Sequence, residues 1–435
     1  MLLVKPSSKR SGTCSSVRPL VCAAGLLAAW WCGGFAAAQV VPPIALPAGN
    51  PSVNSVTEDG VFVFGAPVTE GPPVISTPAP AVVAPPKLDR KPQTVTVKVK
   101  EKGKTFYGKP LVTDGKNVAV VRWDGRLATF PVNDSKIKVT KYSTGFEPYS
   151  TAELKQRLKK YFGNRYSIST TEHFVVIHPK GGAEFWAKPF ERHFLRLNDY
   201  FRSHGFETTE PEFPLVAIVL RSRKEFDLRL DKEASFDKNI IGYYSKKSNR
   251  ITTYAPSVAL LTPTGAKKTA GWLEQSSTIV HEVAHQIAFN CGVHNRFSTV
   301  PKWTSEGLAT LCETRGVYKF KKFPDIKDRV NRMRLESFRE LSYAGKTDGK
   351  LLELLQIDRL FETDPELAYA VSWAISFYLN ENRQAEYLNY LKRDALRGDF
   401  RKHTKLDRVA FFVRHFGRNI AGLEKRMNLF IDTVN

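Results

Sequence analysis

The stretch "IVHEVAHQIAF", Ile279 to Phe289, decides how the rest of the chain is read. Two histidines stand four residues apart, with a glutamate directly after the first. On an α-helix four residues advance about 400° and rise ~6 Å, so the imidazoles of His281 and His285 share one face and can converge on one ion. Glu282 lies about 100° round from His281, off that stripe, where it can reach a water beside the ion rather than the ion itself. The spacing therefore separates two candidate zinc ligands from one candidate general base. Ile279, Val280, Val283, Ala284, Ile287 and Ala288 form the opposite, apolar stripe, which calls for burial in a core.

Zinc in a catalytic site takes a third protein ligand and leaves its fourth position open. Twenty-one residues past His285 comes Glu306, within "PKWTSEGLATLCE", Pro301 to Glu313. Glu306 is expected to open a second helix, and the small or apolar Gly307, Leu308 and Ala309 let that helix pack closely on the first. H-E-x-x-H followed some twenty residues later by W-x-x-E-G-x-A resembles the gluzincin metallopeptidases, the group that includes thermolysin and aminopeptidase N. Strong motifs carry the resemblance over residues 272–313, and element order alone carries it further.

That resemblance implies a zincin-like fold, a bound Zn2+, peptide-bond hydrolysis, and Glu306 as the third ligand. The aminopeptidase-like members also carry an acid where Glu313 stands, two turns beyond Glu306 on the same face. This implies a hydrogen bond from a ligand histidine's other nitrogen, the alternative being an ordinary solvated glutamate. Gluzincins further supply an oxyanion donor from a tyrosine or histidine C-terminal to the ligand glutamate. In "PELAYAVSWAISFYL" Tyr369, just after a helix start at Asp364-Pro365, is the candidate, with Tyr343 and Tyr378 as alternatives. Nothing in "GYYSKKSNRITTYAP" matches the glycine- and glutamate-containing motif with which the aminopeptidases hold a free amino terminus. The strand from Arg250 is nevertheless expected to offer pairing to an extended peptide. Overall the chain resembles uncharacterised secreted bacterial proteins that carry a peptidase-like gluzincin domain.

A length of 435 residues allows two or three domains. Residues 1–38 have the order of a signal peptide: Lys5, Lys9, Arg10 and Arg18, then an apolar run, then Ala36 and Ala38 ahead of a cleavage point before Gln39. An uncleaved membrane anchor is the alternative, and no later stretch is apolar enough to cross a bilayer. Residues 39–93 are rich in proline and small residues and read as a disordered linker. Residues 94–145 show short β-rich runs separated by Asp114-Gly115 and Asp124-Gly125, which suit tight turns. Their rhythm weakly resembles the small SH3-like β-barrels attached to bacterial secreted proteins. Ser150 and Glu153 form a capping box, and from there to residue 435 the pattern is a mixed sheet, the histidine helix, then a helical C-terminal half. The expected class is thus α+β, with the active cleft between sheet and helices.

Cleavage takes four of the 65 basic residues and none of the 43 acidic ones, so a strong positive excess persists. It suits polyanions; in a secreted, periplasmic or envelope-associated protein these are anionic cell-wall or surface polymers rather than a specific nucleic acid, beside the peptide or protein substrate itself. Cys291 and Cys312 each lie six residues beyond a candidate ligand. On antiparallel helices that puts them ~18 Å apart, so two free buried thiols are expected rather than a bridge. Two readings compete: a secreted zinc metallopeptidase, or a wall- or matrix-binding protein whose zinc helix is structural or degenerate. The intact Glu282 favours the first, because a structural site has no use for a base.

Overall fold

Burial on both faces of a mixed sheet organises the domain that carries the histidine helix. In the computed structural model the described residues are 96–101, 104–111, 117–131, 133–134, 137–142, 145–180, 186–233, 240–255 and 276–434. The expected signal peptide and linker lie outside them. They hold ten strands and fourteen α-helices, with both sheets before Ala255 and only helices after it, so the α+β class holds. No helix among them is long and apolar enough to cross a membrane.

The first sheet comprises β1 (Thr96–Glu101), β2 (Lys104–Leu111), β3 (Asn117–Arg122), β4 (Leu127–Pro131) and β5 (Ile137–Tyr142). All its pairings are antiparallel, in the order β4-β3-β2-β1-β5, around a small core of Val99, Phe106, Val120 and Phe130. A closed barrel was expected; the described residues form an open sheet, since no ladder joins β4 to β5. The start of β4 turns instead toward the larger domain, where the Leu127 amide donates to the Lys247 carbonyl at 2.8 Å.

The second sheet runs β6-β7-β8-β10-β9, with β6 (Tyr166–Thr170), β7 (Phe174–Pro179), β8 (Leu215–Leu220), β9 (Gly242–Ser245) and β10 (Arg250–Tyr254). The three central strands are parallel and both edges antiparallel. "FVVIHP" and "LVAIVL" are buried at every position, which explains their continuous apolar runs: strands covered on both faces need no polar alternation. On one face Val175, Ile177, Val216 and Ile218 pack under α1 (Thr151–Phe162) and α3 (Arg223–Glu233). On the other, Val176, Leu215, Ala217 and Ile251 meet α2 (Lys188–Ser203) and α4 (Ser277–Asn290). The Ser150–Glu153 capping box starts α1 as expected, both of its reciprocal bonds being made. Helix α2 carries Pro189 in its first turn, where a missing amide costs nothing.

The helical half contains α5 (Lys302–Cys312), α6 (Arg315–Tyr318), α7 (Ile326–Arg329), α8 (Arg332–Tyr343), α9 (Lys350–Gln356), α10 (Leu360–Thr363), α11 (Pro365–Asn382), α12 (Gln384–Ala395), α13 (Lys405–Phe416) and α14 (Ile420–Thr433). Helix α5 joins the two halves: Leu308, Ala309 and Cys312 enter the sheet-side core, and Trp303 and Leu311 enter the helical core. It begins four residues before Glu306, not at it. Cys291 and Cys312 are free and buried, as expected. The approach of α11 to α5 leaves no room at Gly307, where an added Cβ would sit 2.1 Å from Ser376 Oγ and 2.6 Å from the Ser372 carbonyl oxygen. The carbonyl is backbone and cannot swing aside. Gly307→Ala is therefore expected to destabilise the domain by about 1–3 kcal/mol despite alanine's better helix propensity. Urea unfolding in the presence of chelator measures this, and unchanged or increased stability would contradict the close packing.

Candidate metal centre

Helix α4 is buried from Ile279 to Phe289, polar residues included. Its apolar stripe enters the sheet-side core, as the sequence pattern required. Gln286, fully buried, pins the helix to the sheet by donating to the carbonyls of Val216 and Asn249. The opposite stripe faces α5. There His281 Nε2 and His285 Nε2 lie 3.1 Å apart, and Glu306 Oε2 is 3.2 Å from the first and 3.3 Å from the second. These three residues form a group able to hold a metal ion.

The donor set fits zinc. Ligands bound at about 2.0–2.1 Å in a tetrahedron are about 3.3–3.4 Å apart, close to all three observed separations. Two imidazoles and one carboxylate are also the chemistry that zinc accepts. His281 Nδ1 donates to Glu313 Oε1 at 2.8 Å, which fixes the ring and turns the lone pair of Nε2 toward the other two donors. Glu313 is held in turn by Asn331 Nδ2 at 2.7 Å. Asn331 caps α8 through its Oδ1 and donates also to the Thr310 carbonyl, so one amide ties the start of α8 to the end of α5.

The ion-pair partners of Glu306 and Glu313 are these histidines. Burial tends to raise the Glu306 carboxyl, but the charge of His285 and the hydrogen bonds of both imidazoles outweigh it and hold the group well below its ordinary value. Burial likewise lowers His281, and the hydrogen bonds to Glu306 and Glu313 outweigh it, raising that imidazole well above its ordinary value.

Glu282 does not join the triangle. Its Oε2 accepts from the Tyr244 backbone amide of β9 at 2.6 Å, leaving the carboxylate beside the site and off the ligand set, as the helical geometry predicts. Burial raises its pKa, the two imidazoles counter this, Glu306 adds to it, and the Tyr244 amide lowers it again. The result is a carboxylate more basic than one in water.

Of the three candidate tyrosines, only Tyr369 is at the site. Tyr343 is 78 % exposed, and Tyr378 is buried against Phe430. Asp364 caps α11 through the Leu367 amide, and Tyr369 follows in the next turn, on the α11 face that reaches α5. Its ring centroid is 6.4 Å from that of His281, and the Arg334 guanidinium stands 5.0 Å from the ring. The charge of Glu306, then burial, push the phenol well above its ordinary value, so it remains a donor at any physiological pH.

The chain folds other residues into the site that no motif announced. Strand β9 is only four residues long, and Tyr244 acts through its backbone, which sequence pattern does not reveal. Asn331 is a lone asparagine with no motif around it. Among the described residues the sheet edge on this side is β9, and the strand from Arg250 is paired on both sides, parallel to β8 and antiparallel to β9, which corrects the expectation that it offers an edge. A buried amide network of Tyr244 Oη, Asn249 and Asn290 fastens the turn between β9 and β10 to α4. A second grouping, Glu172, His173 and Glu191, also meets the distance requirement for a metal. Its donors are already engaged: Glu191 accepts from the Thr171 hydroxyl, the His173 amide and His173 Nδ1, and His173 Nε2 faces Glu210. It reads as the clasp of the β6–β7 turn.

Residues 275–400 match the model of a family described as "Protein of unknown function (DUF1570)". That match runs from the start of α4 to just past α12 and encloses His281, Glu282, His285, Glu306, Glu313 and Tyr369. No curated protein matches the chain. Glu313→Gln is expected to leave the fold intact and weaken zinc binding about 10–100-fold, the range for losing such an outer partner. Competition with a fluorescent chelator measures it, and unaltered affinity would contradict the orienting role.

Proposed function

We propose that this chain is a secreted zinc-dependent metallopeptidase with a zincin-like domain of the gluzincin type. The observation that carries the reading is the ligand triangle of His281, His285 and Glu306 with Glu282 buried beside it and outside it. A purely structural zinc site closes its coordination with four protein ligands, whereas a three-donor set with an adjacent base suits hydrolysis. Bound zinc supplies Lewis acidity, which polarises a carbonyl and makes water easier to deprotonate.

The residues of the chain divide the rest of the work. Glu282, held by the Tyr244 amide, takes a proton from the water as its oxygen bonds to the peptide carbonyl carbon. The C–N bond then breaks, and the same carboxyl passes its proton to the departing amine. Tyr369 donates its hydroxyl proton in a hydrogen bond to the carbonyl oxygen while that atom carries negative charge. Glu313 and Asn331 keep the His281 ring in place. The short edge strand β9, next to Glu282, is the surface on which an extended peptide would be aligned.

Glu282→Gln is expected to keep one zinc per chain and to lower kcat about 10²–10⁴-fold against a mixed peptide library. Tyr369→Phe should also keep the metal and lower kcat about 10²-fold, with little change in KM. Product mapping by mass spectrometry with metal content by emission spectroscopy checks both. Absent or equal cleavage by wild type and the Glu282→Gln variant would contradict the proposal and favour a binding protein with a structural zinc helix.

A further inference from the structure

Between the first sheet and the α1 side of the larger domain lies a cleft of about 870 Å³. Its wall is built from the β3–β4 turn, helices α1 and α3, and the β9–β10 turn. Arg122, Arg126 and Arg250 gather around Asp124, the one carboxylate that lines it among the described residues, whose Oδ2 is 2.6 Å from Arg126 and 3.7 Å from Arg250 and whose Oδ1 is 3.9 Å from Arg122. Arg250 is buried there, while Arg126 is part-exposed. Arg157 and Lys160 add exposed charges from α1, Lys247 adds another from the β9–β10 turn, and Arg229 contributes from α3.

The aromatic residues of the cleft brace these cations. Arg122 lies 4.4 Å from the centroid of Phe106, and Arg157 lies 4.0 Å from that of Tyr149. Trp123 is stacked on Tyr107 at 5.2 Å and meets Tyr149 edge-on at 5.7 Å. Faces occupied in this way are not free for nucleobases, which bind single-strand sites largely by stacking on open rings. What the cleft presents is a set of oriented guanidiniums, whose forks match carboxylates and phosphates. Ser245, Ser248 and the Tyr161 hydroxyl stand beside them as partners for neutral hydroxyl groups.

From this arrangement we propose that the cleft binds an anionic polysaccharide, a chain of sugars bearing carboxylate or phosphate groups. Cations spread over four separate elements suit several anionic groups at intervals along one polymer rather than a single small anion. The hydroxyl groups between them suit the sugar rings that carry those anions. The site is distinct from the metal centre, although the β9–β10 hairpin contributes to both: Ser245, Lys247 and Arg250 line the cleft, and Tyr244 serves Glu282. It gives the basic excess of the chain a specific place to act, so that the protein can hold an envelope polymer while its metal centre stays accessible.

The test uses the full chain, with polygalacturonate as the anionic probe, dextran as the neutral control and oligo(dT) as the nucleic-acid arm. Binding is followed by calorimetry across a salt series. Arg157→Glu/Lys160→Glu reverses two charges inside the cleft. Lys155→Glu/Lys159→Glu reverses two on the same helix that do not line it. Wild type should bind polygalacturonate, ignore dextran, and lose affinity as salt rises. The cleft variant should weaken binding by about tenfold or more and the control variant by less than about threefold, with zinc content and thermal unfolding unchanged in both. Should the cleft variant fail to fold, Lys247→Glu on the exposed turn takes its place. Equal losses in the two variants, no binding by wild type, or tighter binding to oligo(dT) would overturn the proposal.

Discussion

The close contact of α5 with α11 at Gly307 is the constraint from which the rest follows. Helix α5 has no solvent face to spare: one side packs into the sheet-side core through Leu308 and Cys312, the other into the helical core through Trp303 and Leu311. A helix buried on all sides is fixed in rotation as well as position. Glu306 therefore points at α4 without any adjustment of its own, and Tyr369 arrives because α11 is held within a side chain's reach of the same turn. Loosening that one contact would shift Glu306 and Tyr369 together.

The electrostatics depend on the same packing. Glu306, Glu313 and the two histidines are brought out of water together, and burial alone would neutralise the acids. Glu306 is held below its ordinary value because the imidazoles face it, and the stack Asn331–Glu313–His281 sets which nitrogen is left to bind. Glu282 escapes this pairing. A hundred degrees of helical rotation takes it to the Tyr244 amide, so it keeps the raised basicity that burial confers.

How far the site could be read in advance depended on whether its parts act through side chains at short spacing. His281, Glu282 and His285 sit in one helical turn, and periodicity alone assigned their faces. Glu306, Glu313 and Tyr369 needed the resemblance, because their relation to the histidines passes through tertiary packing. The Ser150 and Asp364 caps were legible because capping is local chemistry. Tyr244 and Asn331 were not, one acting by its backbone from a four-residue strand and the other as a solitary amide. The small sheet misled through its strand rhythm, which fixes strands and turns but not whether edges close; here the start of β4 is engaged by Lys247. The strand from Arg250 misled in the same way, since the short "GYYS" that takes its edge carries almost no pattern of its own.

Two surfaces thus share one hairpin: a metal centre proposed to cut peptide bonds, and a cationic cleft proposed to hold an anionic glycan. The first depends on the identity and place of the metal being as the ligand triangle implies. Anomalous difference maps from crystals of the purified protein, collected on both sides of the zinc absorption edge, test it directly. A single zinc peak is expected about 2.0–2.2 Å from His281 Nε2, His285 Nε2 and Glu306 Oε2. A map without a peak there, or with its zinc between His173 and Glu191 instead, would contradict it.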